Sequence, residues 1–276
     1  MHVPSISLND KHTIPQLGFG TWKIADNEVD KSVEFAVKTG YRHIDTARIY
    51  ENEKGVGTGL RRCDVPREQL FLTTKLWNSD QGYEQTLRAF EASLKRLQTD
   101  YLDLYLIHWP CPQRDLYVET WRALIHLQSQ GLTKSIGVSN FRVEDLQRLI
   151  KETGIIPAVN QIEVHPYFQE AELRAFHQQH NIATVAYSPL GRGALLGDPV
   201  LGDIARRHGK TPGQITLRWH IEIGNIIIPK SVTQSRIIEN FHIFDFRLTP
   251  EDMAAIAALH KADGRQAPDP AEFAAL

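Results

Sequence analysis

The chain has little cysteine: Cys63 and Cys111 are the only two in 276 residues. Two cysteines make no disulfide framework in a chain this long, so a reduced, cytoplasmic setting is expected. Long apolar runs are also missing. No stretch approaches the roughly 20 residues of a membrane-spanning helix, so no membrane partner is expected. The opening MHVPSISLND is neither basic nor followed by an apolar segment, so no secretory leader is expected. Charge of one sign is missing too. The net charge is −2, with lysines and arginines mixed among the acids. A nucleic-acid partner would need a clustered basic face, and none is visible. No linker, composition shift or low-complexity segment divides residues 1–276, which reads as a single domain.

Two motifs are absent although fragments of them occur. Gly55, Gly57 and Gly59 follow GxGxG spacing, and no strand leads directly into them. They are therefore no dinucleotide fingerprint and instead predict a helix packed closely on its neighbours. His177 and His180 lie three apart on a helical pattern, without a third ligand or an HExxH motif, so no metal is expected.

What is present is regular alternation. Residues 5–8 and 13–14 read as a hairpin around the Asn9-Asp10 turn. Eight strand signals follow, near 17–21, 41–45, 70–75, 102–107, 135–139, 158–163, 183–187 and 225–229. Helical patterns separate nearly all of them. One helix carries Leu87, Phe90, Leu94 and Leu97 on one face; another carries Val118, Trp121, Leu124, Ile125 and Leu127. Further helices are predicted over 171–180, 199–208, 212–223, 234–240 and 250–259. Short apolar strands in βα alternation mean a parallel sheet, and eight units favour an α/β fold closed as a (β/α)8 TIM barrel. The hairpin would cap it, and the tail from Asp263 to Leu276 would lie over the surface.

Polar groups interrupt these strands at their ends. Ile44 runs into Asp45, with Tyr50 five residues on; Thr74 runs into Lys75; Ile107 runs into His108 and Trp109. In a parallel barrel such ends share one rim, where active sites lie. A lysine ammonium beside a phenol stabilises the phenolate and is expected to lower a pKa normally near 10. A carboxylate would keep the lysine charged, and a neutral histidine could orient a substrate oxygen. That set suits protonation of a carbonyl oxygen while hydride reaches its carbon. Trp22, Trp77 and Trp109 at strand ends are expected to wall a small-molecule pocket. Trp121 and Trp219 lie inside helical patterns and read as packing residues.

The stretches GYRHIDTARIYENEKGVG, LFLTTKLWN, YLDLYLIHWP, GLTKSIGVSNF, NQIEVHPY, AYSPL and IPKSVTQSRIIENF, in this order, resemble the aldo-keto reductases over essentially the whole chain. The resemblance is nearest to the bacterial 2,5-diketo-D-gluconate reductases, which share short loops and a tail like the APDP at Ala267 to Pro270. Those enzymes often carry a phenylalanine where this chain has Trp22. The resemblance implies a tetrad of Asp45, Tyr50, Lys75 and His108, with Tyr50 as proton donor and a small carbonyl compound as substrate. It implies NADPH bound across the barrel mouth. Tyr187 would stack on the nicotinamide, and Ser139, Asn140 and Gln161 would hold its carboxamide. Ser188, Leu190 and Gly191 would approach the pyrophosphate. Lys230, Ser231, Val232, Thr233 and Arg236 would take the 2′-phosphate, with Glu239 and Asn240 near the adenine. A monomer is expected.

Two rival functions use the same residues. Lys75 could form a Schiff base in a barrel lyase, although an adjacent Asp45 would keep the amine charged and poorly nucleophilic. A non-catalytic nucleotide-sensing subunit would not need an intact tetrad.

Overall fold

The hairpin leads the fold. The computed structural model describes residues 3–276. Strands β1 (Ser5–Ser7) and β2 (Thr13–Pro15) pair antiparallel. Eight strands follow: β3 (Gly18–Gly20), β4 (His43–Asp45), β5 (Phe71–Leu76), β6 (Leu102–Ile107), β7 (Thr133–Ser139), β8 (Val159–Glu163), β9 (Ala183–Tyr187) and β10 (Ile226–Ile227). They run parallel in sequence order. A parallel bridge between Leu17 and Ile227 joins the first edge to the last. The Ile227 amide donates to the Gln16 carbonyl (2.9 Å) and the Gly20 amide to Pro229 (3.1 Å), reinforcing the seam. The (β/α)8 barrel is thus as expected.

The helices fill the outer ring: α1 (Asp26–Thr39), α2 (Glu53–Arg62), α3 (Tyr83–Leu97), α4 (Tyr117–Ser129), α5 (Val143–Thr153), α6 (Ala171–Gln179), α7 (Pro199–His208), α8 (Pro212–Glu222), α9 (Gln234–Phe241) and α10 (Pro250–Ala257). None is long and apolar enough to cross a membrane. Alternate strand residues point inward, so Leu104, Leu106, Val159 and Val185 fill the barrel interior, and Leu8 and Ile14 of the hairpin plug its base. The outward set, with Trp121 and Trp219, packs beneath the helices. The three glycines of α2 face its neighbours: an added Cβ would overlap the carbonyl oxygens of Asp26, Leu97 and Asp30. Their spacing serves close helix approach, as the sequence predicts.

One expectation needs correction. The last strand covers only Ile226–Ile227 rather than 225–229. Pro229 has no N–H to give the ladder, and the chain turns there toward Gly20. The tail lies over the surface as expected, crossing the C-terminal mouth, where side chains of the barrel bond it. Helix ends differ from the sequence reading by one or two residues, as fraying ends do.

Candidate active site

Asp45 and Lys75 end neighbouring strands in register, with Asp45 opposite Thr73 and Lys75 two residues further along β5. Lys75 is fully buried and Asp45 nearly so. The Lys75 ammonium donates to Asp45 Oδ1 (2.5 Å) and to the Thr46 carbonyl (2.8 Å). Burial pushes Lys75 below its ordinary pKa, and the Asp45 carboxylate opposes that shift. A charge this deep needs such a partner. The other carboxylate oxygen, Oδ2, accepts from Gln161 Nε2 at 2.8 Å.

Tyr50 lies on a single 3-10 turn, Arg48–Tyr50, which Glu51 ends at φ +56°. Asn52 pins this turn from below: it donates to the Thr21 and Ile24 carbonyls, both at 2.9 Å, and accepts from the Thr46 hydroxyl. Glu53 then ties α2 to β5 through Thr74 and to α3 through Arg96. Tyr50 is thereby set beside β4 and β5, with Lys75 Nζ 5.2 Å from its ring centroid.

The Tyr50 pKa departs from the sequence expectation. Removal from water, aided by Asp45 and Tyr187, pushes the phenol well above its ordinary range. Lys75 does not reverse this, because its ammonium is committed to Asp45 and the Thr46 carbonyl. The phenol is therefore held protonated, which is the form a proton donor requires.

His108 follows β6 and packs edge-on against Tyr50 (centroids 5.9 Å) and Trp77 (5.3 Å). Burial, then the Lys75 charge, push its pKa well below the usual histidine value, so the ring is neutral. Its Nδ1 is buried without a partner.

The residues expected at the carboxamide adjoin this group. Ser139 Oγ donates to the Gln161 carbonyl (2.8 Å). Asn140, at φ +63°, donates to the His108 carbonyl (2.9 Å) and accepts from the Tyr187 hydroxyl (2.7 Å). Ser188, Leu190 and Gly191 form the turn after β9, with positive φ at Ser188 and Gly191. Lys230, Val232, Thr233 and Arg236 are exposed around the start of α9, with Ser231 buried beside them. Neither Lys230 nor Arg236 has a carboxylate within salt-bridge distance among the described residues. Two unpaired cations at a helix N-terminus fit a phosphate dianion. Glu239 accepts from the Thr211 hydroxyl (2.8 Å), and Asn240 is buried.

The tryptophans divide. Trp77 and Trp109 sit with His108, whereas Trp22 lies on the rim, 37% exposed, beneath Lys23 and Arg192. The sequence reading missed Phe273, whose ring meets Trp109 at 4.3 Å and Trp77 at 6.3 Å. Its tail is held by Glu163, which accepts from the Gln266 (2.9 Å) and Ala267 (2.7 Å) amides and pairs with His165 (2.9 Å). Gln266 also donates from its side chain to the Gly191 carbonyl (3.0 Å). His177 is occupied by Asn160 and Thr184, both at 2.9 Å.

Against this geometry, the Aldo/keto reductase family model matches residues 16–261. The chain belongs to the aldo/keto reductase family. It is 54% identical over 270 residues to an aldo-keto reductase of Mycolicibacterium smegmatis, covering 98% of each chain. It is 49% identical over 270 residues to the methylglyoxal reductase DkgA of Escherichia coli, covering 97% of each. Among solved structures, a Gox0644 mutant in complex with NADPH superposes with a TM-score of 0.96, at 49% identity and 99% coverage of both chains. This aldo/keto reductase thus keeps its family's architecture along almost its full length.

Proposed function

We propose that this aldo/keto reductase uses NADPH to reduce small polar aldehydes and ketones to alcohols, with Tyr50 as proton donor. One observation carries the reading: a fully buried Asp45–Lys75 ion pair lies beside Tyr50, and His108 packs edge-on against the same ring at the open end of the barrel. Bound across that mouth, NADPH supplies the hydride. The chain's own residues do the rest. His108 presents an imidazole edge that can hydrogen-bond the carbonyl oxygen and orient it toward Tyr50. As negative charge develops on that oxygen, Tyr50 gives up its proton. The Lys75 cation, 5.2 Å from the ring centroid, stabilises the phenolate left behind. Asp45 holds Lys75 charged and in place, which also argues against a Schiff-base role for this amine.

The residues present fit the cofactor. Lys230 and Arg236 would take the 2′-phosphate with Ser231, Val232 and Thr233, and Gly191 with its neighbours would face the pyrophosphate. Tyr187, Ser139, Asn140 and Gln161 would receive the nicotinamide end, and Glu239 and Asn240 the adenine. Trp77, Trp109 and Phe273 cluster beside His108, an aromatic wall suited to a carbonyl compound of few atoms. Methylglyoxal is a substrate we favour, given the name of the Escherichia coli relative, and 2,5-diketo-D-gluconate is a second, given the sequence resemblance. The complete tetrad lies within one chain and both cysteines are unpaired, which suits a cytoplasmic monomer.

The test is NADPH oxidation, followed by absorbance, over methylglyoxal, 2,5-diketo-D-gluconate and aromatic aldehydes. Turnover of a dicarbonyl with a higher kcat/KM than any aromatic aldehyde is expected. Tight NADPH binding with no turnover across the panel would favour a sensing subunit instead.

A further inference from the structure

A groove of about 590 Å³ opens at the base of the barrel, opposite the tetrad. The hairpin forms one wall through Ser7 and Asn9; α6 and the start of β9 form the other through Arg174, Gln178, Asn181 and Thr184. Its position is fixed by topology, since Ala183 begins β9 and Tyr187 at the active site ends it.

Arg174 is the unusual group. It is half-buried, and burial pushes its guanidinium below the ordinary arginine range. Arg67, Arg96, Arg142 and Arg218 are similarly withdrawn and each holds a carboxylate; Arg42, Arg48 and Arg114 are half-buried without one, but among the described residues only Arg174 leaves a buried guanidinium nitrogen with no partner. Arg174 holds none within salt-bridge distance among the described residues. One long bond reaches the Ile223 carbonyl (3.3 Å), and Nε is buried with no partner. A guanidinium carries five N–H donors in a fork that matches an oxyanion. The groove adds the exposed side chains of Ser7, Gln178 and Asn181, and Asn9, whose amide donates to the Pro157 carbonyl (3.0 Å); none is acidic. Withdrawing a cation from water without an anion is unfavourable, and here a polar, carboxylate-free groove of ligand size surrounds it.

We infer that this groove is an anion-binding site in which Arg174 receives the phosphate group of a small molecule, remote from the reaction centre. Guanidinium and amide donors recognise the phosphate, and the remaining volume accommodates a short polar carbon chain. The site shares no residue with the tetrad or with the cofactor residues, so its occupancy stabilises the fold without being required for turnover.

Thermal unfolding of the full chain tests this, with saturating NADPH present so that Lys230 and Arg236 are covered. Inorganic phosphate and glycerol 3-phosphate are each compared with chloride at equal ionic strength. At about ten times Kd, either anion is expected to raise Tm by roughly 2–5 °C. At equal concentrations of the two anions, a larger rise with glycerol 3-phosphate assigns the groove a phosphate ester, and an equal or larger rise with inorganic phosphate assigns it the free ion. Arg174→Met should abolish the response. Gln178→Glu places a carboxylate four residues along the same helix, within reach of the guanidinium. It should raise the Tm without ligand and shrink the response, which keeps the test usable if Arg174→Met folds poorly. An unchanged response in Gln178→Glu or in Arg174→Met, or no response in the parent chain, overturns the inference. Failure of NADPH to bind would count against the proposed cofactor, while the Arg174 and Gln178 comparisons would still decide the groove.

Discussion

Lys75 Nζ lies 2.5 Å from Asp45 Oδ1, and both side chains are almost wholly withdrawn from water. Removing one partner strands the other charge. Lys75→Met is expected to lower stability by about 3–5 kcal/mol. The double variant Asp45→Asn with Lys75→Met should regain much of that loss, while turnover stays abolished in both. Chemical denaturation with parallel assays checks this. A double variant no more stable than Lys75→Met would mean that the pair is not the source of the loss.

Tyr50→Phe removes only the hydroxyl. NADPH affinity, read by fluorescence titration, should stay within about twofold. Turnover should drop by roughly 10²–10⁴, the usual weight of a general acid. Retention of more than a tenth of the parent rate would assign the proton to another donor.

The pH profile follows from the shifted groups. His108 is pushed far below its usual value and stays neutral near neutrality. Tyr50 is pushed above its usual value and stays protonated. The kcat should therefore be level from about pH 6 to 9 and decline only on the alkaline side of about 10. The sign for stability agrees: a raised Tyr50 pKa stabilises fully below about pH 10, and the contribution fades as pH climbs through the folded value. An inflection near 6.5 that His108→Gln removes would show that the histidine titrates during turnover.

Arg236→Met should weaken NADPH by about tenfold or more, as loss of a charge-assisted phosphate contact does. NADH affinity should barely change. Equal weakening of both cofactors would place Arg236 away from the 2′-phosphate.

Glu163→Gln should loosen the tail. Burial pushes this carboxyl up, but the bond from His165 and the amides of Ala267 and Gln266 outweigh it and hold it below the usual glutamate range. The stabilisation is complete above about pH 4.3 and disappears as pH falls through the folded value. In Glu163→Gln we expect KM for a small dicarbonyl to rise about three- to tenfold, with kcat within about twofold, the mark of lost binding rather than lost chemistry. A fall in kcat with KM unchanged would argue for a direct role in the reaction.

Much of this is legible in the sequence for a physical reason. Strands buried on both faces are nearly continuous apolar runs, so Asp45, Lys75 and His108 stand out as polar intrusions at their ends. The α2 glycines can be assigned to packing because no strand precedes them. Phe273 is not legible: its segment has no periodicity, and its position depends on Glu163 and Asn78, far away in sequence. Arg174 looks like any helix-surface charge, because a missing partner is a fact of three dimensions. The direction of the Tyr50 shift is not legible either, because proximity to Lys75 says nothing of the desolvation that accompanies it.

The tail bears on how this reductase could be diversified. Phe273 packs on Trp109 and Trp77, yet its segment is fastened by a few bonds at Gln266, Ala267, Ala271 and Ala275 and belongs to none of the eight strands. Exchanging those last residues is expected to alter the aromatic wall and leave Asp45, Tyr50, Lys75 and His108 as they stand. Part of the aromatic wall is thus carried on a stretch of chain separate from the tetrad, while Trp77 and Trp109 stay tied to it.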